Sequence, residues 1–137
     1  MKIFSKVEKD KIILSVLKFK DISKNRNDIS PENEFLQTSG RVLNKDFQVK
    51  LHKHNKIKRV TDITQEAWIV LKGKILGKFY DLDDVLIYED IFVDGDCVTI
   101  FRGGHELIVL ENNTYFYEIK NGPYYGVNYD KTEIKPK

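Results

Sequence analysis

The feature that most constrains this chain is its rhythm. Short runs of Ile, Val, Phe, Tyr and Leu recur along it, each closed by a cluster of Asn, Asp, Gly or Lys. Runs of that length and composition read as β-strands separated by turns, and their repetition describes an all-β sandwich or barrel. No stretch sustains apolar residues at i, i+3, i+4 and i+7 over several turns, so little helix is expected. Strands are expected over residues 12–19, 36–43, 47–51, 67–71, 74–81, 85–92, 97–101, 106–110 and 114–120. Gly73 and the pair Asp83–Asp84 mark turns, and Ser30–Pro31 opens a turn or short helix. Residues 52–63 read as a polar, basic connection, and residues 122–137, with Tyr124, Tyr125 and Tyr129, as a closing arm with a frayed end.

A chain of 137 residues suits one domain. Its core is expected over about residues 36–120, flanked by an N-terminal strand and the C-terminal arm. At this size folding buries roughly two thirds of the unfolded surface, so no covalent staple is needed. Cys97 is the one cysteine, which excludes an internal disulfide and points to a reducing compartment. The N-terminus carries charges every few residues and lacks the apolar stretch of a signal peptide. The apolar runs also fall far short of the ~20 residues that span a bilayer. A soluble, cytoplasmic protein without membrane contacts is expected. With 23 basic and 21 acidic residues, the composition makes no case for nucleic-acid binding.

The three histidines fall in two places. His52 and His54 are two apart, so in a strand both project from one face and can share a metal ion. On a polar strand they can equally be two solvated side chains. Glu66 opens the apolar run Ala67–Leu71, which closes at Gly73. It is either an oxygen ligand pointing inward or a charged residue at a strand start. Slipping the register by one would turn Gln65 inward in its place. Gly103 and Gly104 deliver His105 to the start of a strand, as a ligand or as an ordinary loop histidine.

Together these pieces resemble the cupin family. Its first motif orders His-x-His, then Glu, then a glycine after six residues, as His52, His54, Glu66 and Gly73 are ordered here. Its second motif runs from Gly through Pro-x-Gly to His, and here Gly95, Gly103 and His105 stand in that order. The chain departs from the family in a longer connection between His54 and Glu66, in Phe101 where the family has proline, and in Val109 where it has asparagine. The spacing from Gly103 to His105 is also one residue short. A longer loop costs little, about 0.6 kcal/mol per doubling.

The resemblance implies a cupin-type jelly-roll barrel holding one divalent transition metal (Fe, Mn, Ni, Co, Cu or Zn) through His52, His54, Glu66 and His105. The stretches Thr64–Lys74, Phe79–Asp81, Gly103–His105 and Glu118–Tyr124 are similar to small cupins of bacterial surface-polysaccharide synthesis. That likeness implies a metal-dependent enzyme acting on a small, oxygen-rich anionic substrate such as a sugar phosphate or nucleotide sugar, as an isomerase or epimerase. An Fe-dependent dioxygenase and a non-catalytic binding or regulatory module are the alternatives. A homodimer formed through an edge strand or swapped arm is also implied.

Arg59, Arg102 and Gln65 are candidate substrate contacts, since guanidinium suits bidentate anion binding. The other bases between Lys45 and Arg59 read more simply as a solvated loop. Trp68, Phe79, Phe92, Phe101, Phe116 and Tyr117 line either a pocket or the core. Tyr88, Tyr124 and Tyr125 are further acid–base candidates.

Overall fold

The computed structural model describes residues 1–137. It contains ten strands: β1 (Lys2–Phe4), β2 (Ile12–Leu17), β3 (Asn27–Asp28), β4 (Ser39–Gly40), β5 (Glu66–Lys72), β6 (Lys74–Tyr80), β7 (Leu86–Val93), β8 (Cys97–Ile100), β9 (Gly104–Val109) and β10 (Tyr115–Lys120). The helical content is one 3-10 turn, Phe19–Asp21, and one short helix, α1 (Val127–Asp130). Every strand pairing is antiparallel. The all-β expectation is met. No helix is long and apolar enough to cross a membrane.

One sheet runs β1-β2-β8-β5-β10 and a second runs β7-β6-β9, with β3 and β4 forming a separate ribbon. The core lies where the sheets face each other. Trp68 and Val70 of β5, Val98 and Ile100 of β8, and Leu14 and Val16 of β2 meet Ile75 and Phe79 of β6 and Phe92 of β7. Phe79 is fully buried, 5.8 Å from the Trp68 ring and edge-on to Phe92 at 6.1 Å. Offset and edge-on arrangements of this kind suit the ring quadrupoles.

β2 and β8 are buried at every position, without the alternation of a one-sided strand. The reason is cover on both faces. Leu17, Ile29 and Cys97, with Ile22 and Ile69, form a second small cluster on the far side. Ser15 Oγ donates to the Ile29 carbonyl at 2.8 Å, and Thr99 Oγ1 donates to Thr38 Oγ1 at 3.0 Å. These hydroxyls satisfy themselves on the covering segment and remove the cost of burying them. The core therefore begins at β2, earlier than residue 36.

Two expectations change. The sheets do not close into a barrel, since β10 and β9 end their sheets without pairing to each other. Residues 36–43 supply only the two-residue β4, and residues 47–51 form no strand. The physical reason is the lack of a partner: residues 41–63 lie almost wholly exposed beside no paired edge. Of the turn or short helix expected from Ser30–Pro31, the turn forms: the Glu34 amide donates to the Pro31 carbonyl, and Ser30 Oγ accepts from the Thr38 amide.

Truncating the ring at the centre of the inter-sheet core tests this packing. Phe79→Ala is expected to destabilise the protein by about 3–5 kcal/mol. Urea unfolding should show a lower midpoint with an unchanged slope.

Candidate functional site

The strand register decides which side chains can meet. Glu66 stands opposite Lys120 across the β5–β10 ladder, and Trp68 stands opposite Glu118. Residues two apart share a face, so Glu66 and Trp68 both point between the sheets with Phe116, Glu118 and Lys120. Gln65 falls on the other parity. Its Oε1 accepts from the Leu36 amide and its Nε2 donates to Glu34, both at 2.6 Å. Of the two neighbours, Glu66 faces the gap between the sheets.

His105 arrives from the second sheet, paired opposite Phe79 of β6. Gly103 makes this possible with φ +80°, and a Cβ there would collide with the Tyr80 carbonyl oxygen. His105 Nε2 lies 3.6 Å from Glu66 Oε2, and its ring meets Trp68 edge-on at 5.5 Å. Trp68 Nε1–H donates to Glu66 Oε1. Lys120 Nζ lies 3.3 Å from Glu66 Oε2 and 2.7 Å from Glu118 Oε1.

Glu66 is therefore a buried carboxylate, its side chain 6% exposed, with a donor or cation on each side. Burial pushes its pKa up. The contacts with His105 and Trp68 and the charges of His105 and Lys120 outweigh burial and hold it at about 2. The same carboxylates raise the pKa of Lys120, against the opposing effect of burial.

Glu66, His105, Trp68 and Glu118 sit on the wall of a cleft of 1180 Å³, larger than most small-ligand pockets. It runs along the open side of the sandwich, between β10 and β9. Trp68, Phe116, Leu107, Tyr80 and Tyr125 supply its apolar surface. Carboxylates dominate the remainder, with eight of them, among them Glu66, Asp81, Glu118 and Glu133, against one lysine, Lys131. The C-terminal arm forms one bank, with Ile134 packed on Gly104 and Thr64 Oγ1 donating to Asp130 at 2.9 Å.

Two of the four expected metal ligands, Glu66 and His105, are thus brought together. His52 and His54 are not. They lie in the exposed segment 41–63, their rings 5.5 Å apart, with His52 Nδ1 2.8 Å from the Lys50 carbonyl. No three His, Cys, Asp or Glu side chains of the chain converge to hold a metal ion. The chain folded alone supplies half of the four-ligand set.

The other candidates divide as well. Arg102 Nη2 donates to both carboxylate oxygens of Glu34, at 2.9 and 3.0 Å, and Nη1 donates to the Ile12 carbonyl. With Gln65 on the same Glu34, both are engaged inside the fold rather than in the cleft. The cause is the loop through Glu34, which sequence spacing does not place. Arg59 is exposed and outside the cleft wall. Of the aromatics, Trp68 and Phe116 reach the cleft, whereas Phe79, Phe92 and Phe101 are core and Tyr117 faces solvent. Tyr88 donates to Asp90 at 2.8 Å; burial and then that carboxylate raise its pKa, a poor match for acid–base work near neutrality. Tyr125 lines the cleft and Tyr124 does not. Lys120 and Glu118 were missed by motif reading; their one signal is the alternation of β10, which needs the β5 pairing to acquire meaning.

The fold and site define an antiparallel β-sandwich with a buried carboxylate–imidazole pair in its open side. Comparison with known proteins finds no match: no family model, curated protein or solved structure aligns with the chain.

The depressed pKa of Glu66 has a consequence for acid stability. Its ordinary value is 4.5 and its folded value about 2. The pairing therefore stabilises the fold fully above pH 4.5, and that stabilisation is lost as the pH falls toward 2. In chelator-treated protein, Glu66→Gln should flatten the loss of stability across this window, by on the order of a few kcal/mol at its upper end. Thermal unfolding at stepped pH measures it.

Proposed function

We propose that this chain is a cupin-type jelly-roll enzyme that takes a small, oxygen-rich substrate with an anionic group, such as a sugar phosphate or nucleotide sugar, into the Glu66–His105 cleft and moves a proton within it, as an isomerase or epimerase does. The observation that carries this reading is the Glu66–His105 pair itself, assembled from opposite sheets on one cleft wall. Burying a carboxylate is unfavourable unless it is paired, and an apolar residue would serve a mere core better. A carboxylate held ionised against an imidazole is instead the arrangement of a working base.

The chemistry follows from the geometry. The His105 side chain is 30% exposed, with Nε2 turned to Glu66 and the rest of the ring open to the cleft. Through its free edge it takes a proton from the hydroxyl-bearing carbon beside a substrate carbonyl and returns it to the former carbonyl carbon, while the hydroxyl proton passes to the former carbonyl oxygen, so that the carbonyl moves by one carbon. Glu66 stays anionic, keeps the ring oriented and stabilises the imidazolium that forms. Phe116 and Tyr125 offer flat faces for a sugar ring, and Glu118 accepts hydroxyls. The carboxylate-rich wall disfavours an anionic group unless positive charge is added. A divalent metal on Glu66 and His105, completed by His52 and His54, would add it and would polarise a bound oxygen as a Lewis acid, with His105 then a ligand rather than the base.

A second reading, a non-catalytic binding module, is favoured by the C-terminal arm along the cleft. Incubation with sugar phosphates and nucleotide sugars in D₂O, followed by NMR, separates the two. Enzyme action predicts deuterium at the carbon beside the carbonyl, reduced about 10²–10⁴-fold in His105→Ala. Binding without exchange in the wild type would leave the module.

A further inference from the structure

Residues 41–63 form no strand or helix, and loops longer than about 12–15 residues without structure of their own are uncommon in compact domains. This one carries a β-strand pattern with nothing to pair with. Phe47, Val49 and Leu51 alternate, and they are 48%, 54% and 100% exposed. An alternating apolar stripe left in water is half of an unmade interface.

The other half is at β10. It ends the five-stranded sheet, so one edge of it is unpaired. Its outer face repeats the same pattern, with Tyr115, Tyr117 and Ile119 at 58%, 60% and 44% exposed. An edge with such a face is a template for strand addition.

Parity joins these two observations to the site. If Phe47, Val49 and Leu51 lie on the outer face beside Tyr115, Tyr117 and Ile119, the residues between them face inward. Those are Gln48 and Lys50 and, by continuation, His52 and His54, on the cleft side with Glu118 and Glu66. One register both covers the apolar stripe and turns the two histidines toward the other candidate ligands. Charge agrees. Residues 41–63 hold seven Lys or Arg and two Asp, a net +5 in a chain of +2, which leaves −3 on the remainder. The cleft wall is itself rich in carboxylates.

We propose that the chain works as a reciprocal dimer in which residues 47–54 of one copy add as a strand to the free edge of β10 in a second copy, carrying His52 and His54 to the second copy's Glu66–His105 cleft. The occupant is a second copy because the single folded chain leaves both halves unmade, whereas exchange between two copies satisfies both edges and closes on itself. Delivery of the histidines rests on reading the cleft as a metal site; the strand exchange does not.

Light scattering at micromolar concentration is expected to give a dimer for the wild type and a monomer for Leu51→Asp and for Tyr117→Asp. Both positions are exposed in the single chain, so circular dichroism should show each variant folded. A monomeric wild type, or a dimer indifferent to both substitutions, overturns the exchange. Cobalt(II), followed by its visible absorption, then reports the site. Neither His52→Ala/His54→Ala nor His105→Ala alone should bind it as the wild type does. An equimolar mixture, after subunit exchange, should regain about one quarter of the wild-type sites, because half of the dimers are mixed and each holds one intact site. No regain, with a wild type that binds cobalt, overturns the shared site. A dimer that depends on Leu51 but binds no cobalt upholds the exchange and defeats the metal reading alone.

Discussion

The two sheets are held face to face by Trp68 of β5 against Phe79 of β6, and the remaining structure depends on that contact. It sets the separation of the sheets, and with it the distance between Glu66 on one and His105 on the other. Trp68 has a double role. Its ring packs on Phe79 and meets His105 edge-on, while its indole N–H donates to Glu66. The core and the candidate site therefore share a residue. A change that loosens the packing also loosens the carboxylate.

Around this contact the molecule is asymmetric. On the β2 side the sandwich is sealed: β2 and β8 are buried on both faces, and Arg102, Gln65 and Glu34 tie the covering loop down. On the β10 side it is open. There the edges of the two sheets stay apart, carboxylates gather, and the C-terminal arm forms a bank rather than a seal. The same openness that makes a cleft leaves the β10 edge unpaired. The site and the proposed dimer contact are thus two results of one unclosed side.

Legibility in the sequence followed the range of the interactions. The strands β5 through β10 were readable because alternation and turn residues are local signals; Gly73 and Asp83–Asp84 bound hairpins where expected. The run at residues 47–51 carries the same alternation but forms no strand, because a strand needs a neighbour and the single chain offers it none. Arg102 read as an anion-binding residue until Glu34 was brought beside it, by a loop whose path depends on Ser30, Thr38 and Thr99. Lys120 had no motif to mark it, because its partner is reached only across a ladder.

The sequence by itself determined the all-β character, the turn positions and the choice between few chemical actors, since each depends on residue type and near spacing. Which of those actors meet was decided by tertiary structure alone. Register placed Glu66 in the gap between the sheets and Gln65 on the opposite face, sheet packing carried His105 to Glu66, and contacts with His105, Trp68 and Lys120 outweighed burial to keep Glu66 ionised. His52 and His54 remain apart from them in the single chain, because nothing in it pairs the segment that carries them. Local preference acts along the chain, whereas a site is a coincidence in space, and only the packed sheets supply the distances.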